Sequence, residues 1–221
     1  MYKFNTPIGS FELPSDYSEI TIKQLKFIQD NIDNEALVLS ELTGLEVIEL
    51  AMLDLSEIGN YFELFKQPLN EIEPIDFIGN SDLSFDFRER SFGDKVKASQ
   101  FLSEGNVYEM LSVYSGISDF DNLPVSEVYG AVNYVISKLR EMDEDRNKML
   151  HFEPTAEEIM AGIHNFDQLG EFNTIDTIAR NYKYTHKEVE ELEYNLVILI
   201  LYRSKISANF EKKLFDVRNK S

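Results

Sequence analysis

The side chains most able to bind a metal or transfer a proton are scattered along the chain. The three histidines, His151, His164 and His186, have none of the close spacings that place two ligands on one helix face. The chain has no cysteine, which excludes disulfides and thiolate metal sites. The sequence therefore predicts no metal and no cofactor.

Acidic residues are too frequent for a carboxylate pair to indicate acid–base catalysis. The run Asp143-Glu144-Asp145 lacks the glycine and the final glutamate of a calcium-binding loop, and it is typical of a solvated helix end. No glycine-rich phosphate loop and no Gly-x-Ser-x-Gly motif occurs. These observations favour a non-enzymatic protein, and an enzyme whose site follows no known motif is the remaining alternative.

The net charge of −19 restricts the partners of the chain. An acidic surface repels nucleic acid and anionic membranes, so neither is expected as a direct partner. The longest apolar run, Leu196–Tyr202, has seven residues, whereas a membrane span needs about 20. The first residues also lack the apolar run of a signal peptide, so we expect an intracellular protein.

An internal repeat organises the elements that would carry any binding surface. Leu39–Leu45 reads LSELTGL, and Leu111–Ile117 reads LSVYSGI 72 positions later. After a shift of two residues, Leu53–Ile58 is echoed by Leu123–Val128. Self-similarity of this kind predicts a duplicated structural unit.

The predicted fold is mainly α, with two copies of a helical repeat unit, a small β element and a C-terminal helical module. The predicted boundaries are an N-terminal arm and first repeat unit at 1–68, a linker at 69–80, a second repeat unit at 81–149, and a helical module with a basic tail at 150–221. No copy of the repeat is recognisable in the last segment.

Local signals predict several element boundaries. Alternating apolar residues in 2–13 and in Leu83–Phe87 predict strands, with the second pairing against the strand around Phe11. Thr21 with Gln24 predicts a capping box, and Gly44 predicts a helix end. Thr185 predicts the start of a long helix that ends near Arg203.

Two regions are candidate partner-binding surfaces. The N-terminal arm offers aromatic side chains, and the C-terminal helix offers an apolar run followed by a tail with six basic and two acidic residues after position 202. Leu196–Tyr202 is either a buried core helix or an interaction face, and the basic tail either complements a helix dipole or contacts a partner. The candidate residues are Tyr2, Phe4, Phe11, Ile198, Tyr202, Phe210, Lys212, Lys213 and Arg218.

The pattern Tyr17–Gln24, followed by a helix and by Leu42–Leu45, resembles the opening of tail assembly chaperones of tailed bacteriophages. The resemblance covers about residues 9–65. Residues 156–203, with Ala161–Phe166 and Phe172–Asp176, resemble proteins from the structural gene blocks of phages that infect gut Bacteroidetes. The tail assembly chaperones are acidic, helical and poor in cysteine, and the family has no catalytic residues to transfer.

The resemblance implies a phage morphogenesis protein that binds a tail or connector component in the cytoplasm of the bacterial host. The duplication and the C-terminal segment depart from the small, single-unit chaperones, so a second role stays open. In that role the chain is a stoichiometric virion protein, either a ring or collar subunit at the portal–tail junction or a packaged protein. Both roles imply other phage structural proteins as partners, and a homo-oligomer.

Overall fold

The structure is a computed structural model that describes residues 2–6, 9–50, 61–151, 154, 156–162 and 169–219. It is mainly helical, as the sequence predicts. The strands are β1 (Tyr2–Thr6), β2 (Gly9–Leu13), β3 (Phe77–Ile78) and β4 (Ser81–Asp82). The helices are α1 (Ile22–Asp30), α2 (Glu35–Thr43), α3 (Val47–Leu50), α4 (Phe92–Ser103), α5 (Val107–Ser115), α6 (Val125–Leu150), α7 (Ala156–Met160), α8 (Gly170–Tyr182), α9 (His186–Glu191) and α10 (Tyr194–Asn219).

The chain forms two compact units that are not consecutive in sequence. Unit 1 consists of Met1–Ser84 and Ser115–Val135, and unit 2 consists of Phe85–Tyr114 and Ile136–Ser221. Each unit therefore combines two segments that are separate in the sequence. The predicted repeat boundaries stay a prediction, because the segments of the two compact units alternate along the chain.

The N-terminal arm contains two antiparallel strands, which confirms the strands predicted within 2–13. β1 pairs with β2, and Phe4 lies opposite Phe11. The predicted strand at Leu83–Phe87 is wrong. Its alternation ends where the carboxylate of Asp86 accepts a hydrogen bond from the backbone N–H of Arg88 at 2.9 Å, which starts a 3-10 turn.

The same motif precedes the first helix of each unit. We call it the entry motif: an aspartate that caps a 3-10 turn, followed by a residue that caps the helix. Asp16 caps a 3-10 turn at Tyr17–Glu19, and Asp86 caps one at Phe87–Glu89. The next cap is Thr21 in unit 1, where Gln24 completes the predicted capping box, and Ser91 in unit 2. Each cap satisfies backbone N–H groups that a helix start leaves without partners, so the local sequence determines where the helix begins.

In both units the entry motif pairs with the residue that precedes a long helix. In unit 1, the N–H of Val125 donates to the carbonyl of Ile20 at 2.8 Å, and the N–H of Ile22 donates to Leu123 at 3.0 Å. α6, with 26 residues, begins at this pairing. The pairing joins segments about 100 residues apart, so it closes the unit.

Unit 2 has the equivalent pairing. The N–H of Tyr194 donates to Arg90 at 2.9 Å, the N–H of Phe92 donates to Leu192 at 2.7 Å, and α10 also has 26 residues. One element of the repeat therefore lies in the C-terminal segment, where sequence comparison finds no copy. Leu53–Ile58, the earlier sequence counterpart, lies outside the described residues.

This pairing also divides the predicted long helix from His186 to Arg203. Thr185 caps α9 as predicted, with Glu188 completing a capping box. The helix then stops at Glu191, because Glu193 forms a backbone bridge to Ser91, and α10 begins at the next residue. Gly44 ends α2 with a φ of +73°, and Gly116 follows α5 with +71°, as the sequence predicts for these two glycines.

Gly130 → Ala should lower the free energy of unfolding by about 1 kcal/mol, because overpacking outweighs the gain in helix propensity. A Cβ at Gly130 would lie 2.7 Å from Cδ1 of Ile75 and 3.0 Å from the carbonyl oxygen of Glu73. Urea unfolding measures the change. Adding Ile75→Val should restore part of the loss, and a single variant as stable as the wild type would contradict this packing.

Raising the pH above 10 should destabilise unit 2 through Tyr194. Its hydroxyl donates to the carbonyl of Met142 at 3.2 Å, and burial raises the pKa of Tyr194 to about 12. Below pH 10 the side chain is neutral in both states. Above it only the unfolded chain ionises, so about 2 to 3 kcal/mol of stability is lost as the pH approaches 12.

Urea unfolding at pH 9, 10 and 11 tests this dependence. Tyr194→Phe cannot ionise, so its stability should fall less steeply with pH, although it is less stable at pH 9 because a hydrogen bond is lost. Equal slopes for the variant and the wild type would show that Tyr194 does not cause the dependence.

Candidate partner-binding surface

α10 changes character along its length. Its first two turns pack into unit 2 through Tyr194, Val197 and Ile198, which are buried. From Tyr202 onwards the described side chains are exposed or half-exposed on every face of the helix. A helix that leaves its apolar residues uncovered in this way offers a surface for association.

Five exposed apolar residues of α10 form one stripe. We define the α10 stripe as the row of side chains at spacings of three or four residues, which lie on one helix face. Phe210 is 65% exposed, and the other members are each more than one-third exposed. The members of the stripe are Leu196, Leu199, Tyr202, Ile206 and Phe210.

Basic side chains border the α10 stripe. Arg203, Lys212, Lys213 and Arg218 are exposed. Lys205 differs, because its ammonium donates to the carbonyl of Met149 at 3.0 Å. The basic residues extend through the helix rather than gathering in its last turn, so the helix dipole alone does not account for them.

The structure brings most of the predicted contact residues together. Tyr202, Phe210, Lys212, Lys213 and Arg218 all lie on the exposed part of α10. Ile198 is only 5% exposed, so it belongs to the core of unit 2 rather than to this surface. The two alternatives for Leu196–Tyr202, a buried core helix and an interaction face, therefore each describe one face of the helix.

The predicted aromatic residues of the arm lie in unit 1. Tyr2 and Phe4 are in β1, and Phe11 is half-buried in β2 opposite Phe4. The arm and α10 belong to different compact units.

Sequence reasoning missed Leu199 and Ile206 in the α10 stripe, and it missed a second exposed apolar site in unit 1. Val47 and Ile48 in α3 are exposed, and Ile48 is 68% exposed. The seven-residue spacing of Leu199 and Ile206 was a usable signal. Nothing in the local sequence around Ile48 distinguishes it from a buried helical position.

A cluster of charged side chains in unit 2 is the other place where chemistry could occur. Nζ of Lys95, which is 5% exposed, lies 2.8 Å from Asp143 and 3.1 Å from Glu171, and Arg146 pairs with the same Glu171 oxygen. The two cations and two carboxylates join α4, α6 and α8. Every formal charge has an opposite partner, so this arrangement is that of a structural ion-pair network.

Within the described ranges, no group of three or more histidine, aspartate or glutamate side chains could hold a metal ion. The helices of the same ranges include none that is long and apolar enough to cross a membrane. No family model, curated protein or solved structure gives a significant match to the chain.

Proposed function

We propose that this chain is a non-enzymatic bacteriophage morphogenesis protein that binds a tail or connector component during assembly in the host cytoplasm. The resemblance of residues 9–65 to tail assembly chaperones supports the phage assignment. The observation that carries the binding role is the α10 stripe with its basic border. Exposed apolar residues at helical spacing are typical of helices that dock into a groove of a partner.

The chemistry of the α10 stripe defines the partner that would bind it. Leu199, Ile206 and Phe210 require an apolar surface, and Lys212 and Lys213 require carboxylates around it. The acidic remainder of the chain would keep such a complex soluble and repel nucleic acid. An apolar groove with an acidic rim on a tail or connector protein meets these requirements.

A second candidate is a stoichiometric virion protein, such as a ring or collar subunit at the portal–tail junction. The uneven charge of the chain favours it. Residues 203–221 hold six basic and two acidic side chains, whereas residues 1–202 hold 15 basic and 38 acidic ones. Opposite charges on separate parts of one chain can attract neighbouring subunits.

Quantitative mass spectrometry of purified virions separates the two candidates. A fixed copy number per particle, especially a multiple of six or twelve, would support the ring or collar subunit. Abundance in infected cells with absence from virions would support the assembly role. Absence from both would overturn the phage proposal.

Point variants of the α10 stripe test the binding role in infected cells. Leu199→Asp and Phe210→Asp should lose co-purification with the tail or connector proteins of the phage, because each places a charge in the apolar contact. Met160→Asp, at an exposed position of α7, is the matched control and should retain it. Retained co-purification by both stripe variants would contradict the assignment of the surface.

A further inference from the structure

The charge of the chain is divided unequally between the two compact units. The segments of unit 1 contain four basic and 19 acidic residues, and those of unit 2 contain 17 basic and 21 acidic residues. Most of the negative charge therefore belongs to unit 1, whereas unit 2 is close to neutral and ends in the basic half of α10. The two units therefore differ strongly in net charge.

Unit 1 has an exposed apolar site bordered by acidic residues, whereas the α10 stripe is bordered by basic residues. We define the α3 patch as exposed Val47 and Ile48 with the exposed carboxylates of Glu41, Glu46 and Glu49. α3 packs against α2, which holds the patch on a helical support within the unit. Glu46 and Glu49 flank the two exposed aliphatic residues in sequence, and Glu41 is on the neighbouring helix α2, so the α3 patch is the chemical complement of apolar residues next to lysines.

We propose that the α10 stripe of one copy docks on the α3 patch of a second copy, which joins the copies head to tail. Ile206 and Phe210 contact Val47 and Ile48 of the second copy, and Lys212 and Lys213 face its glutamates. Apolar burial supplies the affinity, and the opposite charges select the orientation. The inference rests on the proposed function, and because both contacts use the α10 stripe, a second copy and a tail or connector component would compete for it.

Charge explains why α10 does not pair with α10 of a second copy instead. Arg203 lies seven residues before Phe210, and Lys213 lies seven residues after Ile206, so both basic residues fall within the rows of the stripe. A parallel pair would place each cation against itself, and an antiparallel pair would place Arg203 against Lys213. Both arrangements bring like charges together, which opposes association.

A contact between two different surfaces is not saturated when a dimer forms. A head-to-tail dimer still has one free α10 stripe on one copy and one free α3 patch on the other, so addition continues until the rotation closes a ring or a filament grows. This behaviour distinguishes the proposal from a symmetric dimer. It also matches the ring or collar role in the proposed function.

A mixing experiment with full-length variants tests the two-surface contact. Phe210→Asp removes the stripe and leaves the patch, whereas Ile48→Asp removes the patch and leaves the stripe. In light scattering after gel filtration at low salt, the wild type should form assemblies larger than a dimer. Each variant alone should associate about tenfold more weakly or worse, as expected for a charge placed in the centre of an interface.

An equimolar mixture of the two variants is the decisive sample. It retains one intact stripe and one intact patch, so it should form a dimer and nothing larger. A mixture that stays monomeric, or a wild type that is monomeric at all concentrations tested, would overturn the proposal. Circular dichroism confirms that both variants are folded, which is expected because both positions are exposed.

Charge reversal tests the electrostatic half of the contact. Lys212→Glu with Lys213→Glu should weaken association, and Glu41→Lys with Glu46→Lys should do the same. Combining all four reversals should restore at least part of the assembly, because the signs are again opposite. Lys187→Glu, at an exposed position of α9, is the control and should associate normally. Failure of the fourfold variant to recover any association would contradict the pairing of these surfaces.

Binding to a tail or connector protein distinguishes a failure of this inference from a failure of the proposed function. If the wild type is monomeric but co-purifies with a tail or connector protein, the second-copy contact is wrong and the assembly function stands. If it forms head-to-tail assemblies but is absent from virions and from complexes with phage structural proteins, the contact stands and the phage function is wrong.

Discussion

Replacing Phe92 by alanine should lower the free energy of unfolding by about 4 kcal/mol, the largest effect expected for a single substitution in this chain. Phe92 opens α4 and is fully buried. Its ring lies 6.2 Å from the ring of Tyr194, and its N–H donates to Leu192. The cavity would therefore form where the entry motif of unit 2 meets the start of α10.

Urea unfolding of Phe92→Ala measures this loss. Phe92→Leu, which retains most of the side-chain volume, should lose about 1 kcal/mol. Phe215→Ala is the matched control, because this phenylalanine is strongly exposed in α10 and should change stability by less than about 0.5 kcal/mol. Similar losses for Phe92→Ala and Phe215→Ala would show that the pairing of α4 with α10 does not hold unit 2 together.

The second large effect is expected at Lys95. Lys95→Met should lower the free energy of unfolding by about 3 kcal/mol, because it leaves the largely buried carboxylate of Glu171 with one cation instead of two. Asp143 is half-exposed and can be hydrated, and Arg146 still pairs with Glu171, so the loss stays at the lower end for a broken buried pair. One carboxylate oxygen of Glu171 already lacks a hydrogen-bond partner, which makes the site sensitive to further loss.

A double-mutant cycle separates the ion pair from the packing of the lysine stem. Lys95→Met combined with Glu171→Gln should be more stable than the sum of the two single losses predicts, because the second change removes the unpaired charge. Lys148→Met is the control, since Lys148 is exposed and its pairs with Glu144 and Asp145 contribute little. Additive losses at Lys95 and Glu171 would show that the two groups do not interact.

The proposed contact between copies uses a different part of unit 2 from these stabilising groups. Phe92, Tyr194 and Lys95 are buried, whereas Ile206 and Phe210 are exposed. Substitutions in the α10 stripe should therefore change association without changing unfolding. This separation allows assembly and folding to be measured independently on the same variants.

Local sequence was sufficient for features that depend on nearest neighbours. The capping box at Thr21, the cap at Thr185 and the helix end at Gly44 follow from hydrogen bonds and backbone angles within about four residues. The helical periodicity of apolar residues is also a local signal, and Phe92 in α4 and Met110 in α5 are fully buried. The mainly helical fold followed from the same periodicity.

Local sequence patterns failed at two places. The alternation of Leu83–Phe87 suited a strand, but the carboxylate of Asp86 accepts a hydrogen bond from the N–H of Arg88, which starts a 3-10 turn. The residues from His186 to Arg203 suited one helix, but the backbone at Glu193 pairs with Ser91 instead. At Asp86 a local hydrogen bond overrides the alternation of apolar residues, whereas the Ser91–Glu193 bridge joins residues that no sequence window contains together.

The sequence by itself therefore determined the capped helix starts at Thr21 and Thr185 and the helix end at Gly44, and it predicted a repeat, because these depend on short-range hydrogen bonds and on periodicity. Only the tertiary structure decided that α10 completes unit 2 in the way α6 completes unit 1, and which face of its apolar run is covered. Ile198 and Leu199 are adjacent and equally apolar, yet one is buried and the other exposed. Neighbouring helix positions point about 100° apart, so burial depends on which side of α10 packs against the rest of its unit.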